Sequence, residues 1–215
     1  MKSLAFAFTI GLMAADFAAA QEFQRFTFDA GGGFTEPAGS TGRYLNNGWN
    51  AGFGVGMNFT QRFSARVEYQ YTNMGVNNAT TGLLGVTGAD VSVYSITIDP
   101  RIRFSPRGPV GFYVVGGGGM YHLREGFNSK SSDLVLPDLP FFGINNNQFA
   151  TPPSAGVPIT LPDSSVIKPG FNVGAGVEFG HWRSAKAFAE ARWEHMFMNN
   201  GTHVDFLPVT FGVSF

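Results

Sequence analysis

The residues of this chain with the chemistry to act on an ion or a ligand are charged side chains recurring at every second position. Arg66 and Glu68 are spaced in this way, as are Asp99, Arg101 and Arg103, and Glu190, Arg192 and Glu194; Arg25, Asp29 and Glu178 lie in similar stretches. A period of two puts such a series on one face of an extended strand. Around an open bore that face would select ions. Folded against itself it would form ion pairs, since buried charges must be paired and the planar guanidinium fits a carboxylate. The two signs nearly balance, which favours pairing over selectivity.

Other candidates carry less. Gly116 to Gly119 form a run of four glycines, but a phosphate-cradling loop needs a strand–turn–helix setting and usually a lysine. His122, His181 and His203 have no metal-ligand spacing. The absence of cysteine excludes disulfides, a thiolate nucleophile and a lipid-modified cysteine anchor. A net charge of -1 gives no basic field for nucleic acid. No cofactor is implied. Asn78-Ala79-Thr80 and Asn200-Gly201-Thr202 match a glycosylation triplet and read as loop residues.

The elements that position these residues follow from the same period. Stretches of about ten alternating residues, the length of a tilted membrane strand, lie near 23–34, 48–59, 63–72, 91–104, 110–122, 169–180, 186–198 and 204–215. In the third, Phe63, Ala65, Val67, Tyr69 and Tyr71 oppose Ser64, Arg66, Glu68, Gln70 and Thr72. In the fourth, Tyr94, Ile96, Ile98, Ile102 and Phe104 oppose Ser95, Thr97, Asp99, Arg101 and Arg103. Apart from Asp205 at the start of the last, one face carries no formal charge in these strands, and the other holds the Arg, Asp and Glu. With 23 Phe in the chain, the apolar face cannot fit inside a barrel of eight strands, whose interior is filled by few side chains. Facing lipid it is at home, because a mid-depth Arg or Lys there costs about 2–4 kcal/mol. The fold class is therefore all-β, an eight-stranded antiparallel up-and-down transmembrane barrel, with bilayer lipid as its outer solvent. Counting back from the short turns sets Arg66 and Glu68 against Gly56 and Gly54, and Glu190 and Arg192 against Gly176 and Gly174. Pro100 would remove a ladder bond, and a bulge or water contact is expected there.

Residues 1–20 read as a signal peptide: Lys2, an apolar run from Leu4 to Ala15, and small residues before a cut between Ala20 and Gln21. The barrel then occupies 21–215. Connections near 60–62, 105–109 and 181–185 are short, and those near 35–47, 73–90 and 123–168 are long, matching periplasmic turns and extracellular loops. The segment 123–168 holds six prolines and the apolar stretches Leu134–Leu136 and Phe141–Ile144. Long structureless loops are usually functional or disordered, so this one is the candidate contact for an extracellular ligand.

Val91 to Phe104, Phe188 to His195 and Phe206 to Phe215 resemble strands of the small bacterial outer-membrane barrels of the OmpA-like transmembrane group. The resemblance implies a place in the bacterial cell outer membrane. Leu207, Val209, Phe211, Val213 and Phe215 resemble the terminal signal read by the barrel-assembly machinery. The seventh strand is similar to the active-site strand of lipid A deacylases, with His195 at the base position. Phe197 stands where those enzymes place the nucleophilic serine, and Asp205 is the remaining carboxylate. The expectation is a non-enzymatic barrel with a salt-bridged interior and a structural or adhesive role; a small pore and a lipid A deacylase-like enzyme are the alternatives. Deleting Phe215 is expected to lower insertion into outer membranes far more than it lowers the unfolding midpoint of barrels already folded in detergent. Unchanged insertion would argue against a signalling role for the terminal series.

Overall fold

The computed structural model describes residues 25–78, 89–104, 109–127, 164–180 and 185–215. The proposed cleavage point at Ala20 and Gln21, His181 and residues 128–163 lie outside them. Eight strands run in chain order: β1 (Phe26–Ala38), β2 (Leu45–Asn58), β3 (Phe63–Val76), β4 (Ala89–Arg103), β5 (Val110–Phe127), β6 (Ser164–Phe179), β7 (Lys186–Phe197) and β8 (His203–Ser214). Each is antiparallel to the next, and β8 returns to β1 to close the sheet. The last residue takes part in closure: Phe28 and Phe215 exchange two backbone hydrogen bonds, of 3.0 and 2.9 Å. No strand edge is left bare, as hydrocarbon requires.

The strands exceed the alternating stretches mainly at one end. β1, β3 and β5 run on to Ala38, Val76 and Phe127, and β2, β4 and β6 begin at Leu45, Ala89 and Ser164. The end that grows is the one away from the short turns, hence the extracellular one. The connection expected over 35–47 therefore shrinks to a tight passage through a 3-10 turn at Thr41–Arg43. Above the bilayer the polarity of the wall inverts. Outward positions become polar at Glu36, Asn73, Asp90, Ser92 and Arg124, while inward positions become mainly apolar, with Glu125 a buried exception. Leu45, Met74, Val91, Val93, Leu123, Met196, Val204 and Phe206 form a buried cluster inside this end. Alternation alone had put the apolar residues on the lipid side. That holds at membrane depth, where Phe26, Phe53, Ile98 and Phe112 are largely exposed to lipid. It fails where water replaces lipid outside.

Two local expectations concern register. Pro100 makes no bulge: Ile98 pairs with Gly118 and Arg101 with Val115, so the register is the same on both sides and only the intervening pairs drop out. The shift that does occur lies between Leu45 and Gly48 in the β2–β3 ladder. The glycine pairings fall where the turns place them, Gly54 opposite Glu68, Gly56 opposite Arg66, Gly174 opposite Arg192 and Gly176 opposite Glu190. The inner wall is thinned wherever a large side chain lies across it. A Cβ on Gly176 would come within 2.3 Å of the Tyr113 ring, one on Gly212 within 2.6 Å of Phe188, and one on Gly170 within 2.7 Å of Tyr121. The run Gly116–Gly119 is part of β5, far from any strand–turn–helix setting.

Overpacking such a contact costs about 1–3 kcal/mol. Gly176→Val is expected to lower urea stability by that amount, and by much less in a Tyr113→Ala background. Equal losses in both backgrounds would show that the Tyr113 ring is not what the glycine accommodates.

Candidate functional site

Inward positions of β1, β3, β4, β6 and β7 meet in the periplasmic half of the lumen as one lattice of ion pairs. Arg66 binds Asp29 through Nη1 at 2.9 Å and, through Nη2, Glu68 at 2.8 Å and Glu190 at 3.1 Å. Arg192 binds Glu68 at 2.8 Å and Asp99 at 3.1 Å, and its Nε meets Glu190. Arg101 joins Asp29 at 3.2 Å to Glu178 at 3.1 Å, and its guanidinium lies 4.3 Å from the centre of the Tyr113 ring. Arg103 and, at the rim, Lys186 complete Glu178 at 3.1 and 3.4 Å. Arg66, Arg101, Arg192, Asp29, Asp99 and Glu190 are all buried. The links cross the lumen rather than running down one wall, since Arg66 and Glu190 stand on β3 and β7.

Two of the eleven residues singled out by alternation stand apart. Arg25 lies just before β1 and is exposed; its carbonyl accepts the Asn58 amide at 2.7 Å, but its side chain is not in the lattice. It falls beyond the first ladder pair, so parity no longer constrains it. Glu194 is buried and inward, yet no described ion pair reaches it. Uncharged members were missed because only charges were scanned. Asn50 donates to Thr35 at 3.1 Å and accepts from Thr210 at 2.8 Å. Asn172 donates to Asp99 at 2.8 Å, and Thr97 donates to Asp99 at 2.7 Å. The same two-residue parity marks all of them.

A small pocket lies between the lattice and the wall of β1 and β2, lined in part by Asp29, Gly52, Gly54, Arg66 and Thr210. Asp29 Oδ1 and Arg66 Nε are buried there without a hydrogen-bond partner among the described residues. One accepts and the other donates, which suits ordered water.

On the outer surface, rings gather near the extracellular ends of the strands. Trp49, Tyr71, Tyr94 and His122 form one chain, with centroids 5.1, 4.9 and 5.8 Å apart. Phe171, Trp193, His195 and Phe197 form another group. Aromatic residues are enriched at this level of a membrane, where an apolar ring meets polar headgroups. Within the second group His195 Nδ1 lies 2.6 Å from Asp205 Oδ1, and His203 Nε2 lies 3.3 Å from Asp205 Oδ2. Asp205 is nearly buried, and its backbone N–H donates to Thr41 Oγ1 at 3.0 Å. The β7–β8 register places His195 directly opposite Asp205, so the carboxylate holds the imidazole in one orientation. Phe197, 4.8 Å from the His195 ring, brings no hydroxyl.

The comparison with known proteins agrees with this architecture. A family model described as the outer membrane protein beta-barrel domain matches residues 4–215. No curated protein matches the sequence as a relative. Among solved structures, Neisserial surface protein A superposes with a TM-score of 0.56 at 16% identity, over 89% of this chain and 96% of that one. A major outer membrane protein from Thermus thermophilus superposes with a TM-score of 0.53 at 9% identity, over 89% of this chain and 99% of that one. Such distant likeness speaks for the fold alone. The match of the family model over nearly the whole length, on a closed barrel with an apolar belt and a polar lumen, means that this chain belongs to the outer membrane protein beta-barrel domain family and resides in the bacterial outer membrane.

Proposed function

We propose that the protein is a non-enzymatic outer-membrane barrel with a filled interior, whose role is structural or adhesive and is exercised through its extracellular loops. The observation that carries this reading is the lattice of arginines and carboxylates spanning the lumen beneath a buried apolar cluster. An ion entering from outside would pass the buried Glu125 and then meet Val91, Val93, Leu123, Met196 and Phe206, which offer it no ligand, and below them side chains already joined to one another. Eight strands enclose just enough room for such a filling. What faces the exterior is then the loop surface, and residues 128–163, the part of the segment 123–168 between β5 and β6, are the candidate contact for an extracellular ligand. In the same reading residues 1–20 direct export, and the series Leu207 to Phe215 is presented to the barrel-assembly machinery.

One observation favours a second reading. His195 and Asp205 have the geometry of a base and its orienting carboxylate, on the lipid-facing side, where an enzyme acting on outer-leaflet lipid would need them. The nucleophile expected two residues on is replaced by Phe197. A water nucleophile would further require an oxyanion site; the Phe171 and Phe197 rings beside His195 supply none, and Trp193 brings a single N–H.

In planar bilayers the purified protein is expected to give no steady conductance steps, and regular ohmic steps would overturn the filled-lumen reading. Arg192→Ala would strand Asp99 and leave Glu68 and Glu190 to Arg66, a loss of about 3–5 kcal/mol for a buried ion pair, reduced wherever water reaches the site. Denaturant unfolding in detergent measures it, and an unchanged midpoint would count against a mutually dependent lattice. For the second reading, lipid A from cells carrying the wild type or His195→Ala should have the same acyl chains by mass spectrometry. Loss of a chain in the wild type alone would establish the enzyme.

A further inference from the structure

Glu194 is the carboxylate that the lattice leaves out, and its surroundings are specific. On β7 it stands opposite Asn172 of β6 on one side and Phe206 of β8 on the other. Tyr121 of β5 lies across Gly170 and brings its hydroxyl against both Glu194 and Asn172. The three residues are 2%, 0% and 2% exposed in the order Glu194, Tyr121, Asn172. Glu194 Oε2, Tyr121 Oη and Asn172 Oδ1 are all buried without a hydrogen-bond partner among the described residues.

With Glu194 ionised, rearranging protons does not satisfy this group. The tyrosine hydroxyl has one proton and faces two acceptors. Turning the Asn172 amide would not help, because its Nδ2 already donates to Asp99 Oδ1 at 2.8 Å, and the turned carbonyl would oppose that carboxylate. Charge is also short. Asp99, the nearest other carboxylate, is held by Arg192 and Thr97, and Arg192 is shared with Glu68 and Glu190. From Lys186 up to Glu194, the lumen sets Arg66, Arg101, Arg103, Arg192 and Lys186 against Asp29, Glu68, Asp99, Glu178, Glu190 and Glu194. One positive charge is missing, and it is missing at Glu194. Above it lie Met196, Leu123 and Phe206, which supply none.

We propose that Glu194, Tyr121 and Asn172 form a buried site for one small alkali cation of the sodium class, at the boundary between the polar and apolar tiers of the lumen. The donor set is oxygen alone, which selects hard cations over transition metals. The single uncompensated carboxylate sets the charge at one. The cation would give Glu194 its counter-charge and the two neutral oxygens their missing partner, tying β5, β6 and β7 together at one level.

The test uses the full barrel folded in detergent at neutral pH, with sodium chloride replaced by choline chloride at constant ionic strength. Sodium is expected to raise the thermal unfolding midpoint with a saturable concentration dependence. Glu194→Gln, which keeps shape and removes charge, should abolish that dependence. Glu36→Gln, at an exposed carboxylate on the outer wall, should retain it. Tyr121→Phe keeps the ring and removes one ligand oxygen, so the sodium concentration for half-maximal effect should rise several-fold, which keeps the proposal open to refutation if Glu194→Gln does not fold. A wild type indifferent to sodium, as a Glu194 that keeps its own proton would make it, overturns the proposal. So does a sodium effect that survives in both site variants, or one that calcium reproduces at far lower concentration.

Discussion

Hydrocarbon offers nothing to a bare peptide N–H or carbonyl, and this constraint governs the molecule. Every strand must find a partner on both sides, so the sheet closes, down to the bonds between Phe28 and Phe215. Closure assigns each residue an inside or an outside by parity. The outside at membrane depth is then restricted to apolar side chains, and whatever charge the chain carries within the bilayer is driven into a space with little water. Once there, arginines and carboxylates have only one another. The lattice around Arg66, Arg101 and Arg192 is thus a consequence of the solvent outside as much as of any function within.

The two-tier lumen shows the same rule from the other side. At membrane depth the wall is apolar without and polar within. Where the strands rise into water it becomes polar without, at Glu36, Asp90 and Arg124, and apolar within, at Val91, Leu123 and Phe206. The upper end is a small water-soluble barrel with its own hydrophobic core, continuous with a membrane barrel turned inside out. The rings Trp49, Tyr71, Tyr94 and His122 mark the level of the change.

Much of this was legible from alternation. The strand count, the order, the lipid face and the pairing of large side chains with Gly54, Gly56, Gly174 and Gly176 all follow from a period of two and short turns. What was not legible has a common cause. The extracellular extensions of β1 to β6 carry apolar residues on the inner face, and a reading that assigns apolar to lipid stops at their edge. Of the bulge or water contact expected at Pro100, the bulge did not form, because a proline lacking one donor can stay in register when the ladders beyond it continue. The His195–Asp205 contact joins residues ten apart in sequence, and only the β7–β8 register reveals it; Arg25 lies beyond the ladder, where parity carries no information. For Glu194 the sequence displays the charge, but only the arrangement of Arg192 and Asp99 shows that no guanidinium is left for it.

The glycines of the inner wall bear on how the barrel reaches a single arrangement. A slip of one residue between strands turns the lipid face inward and is rejected by solvent at once. A slip of two keeps every side chain on its proper face, so the bilayer cannot detect it. The lumen can. Between β6 and β7 such an error would set Glu190 against Glu178 in one direction and Arg192 against Asn172 in the other, in place of Gly176 and Gly174. Lipid therefore chooses which face is out, and the pattern of large and absent side chains inside chooses among the alignments that lipid treats as equal.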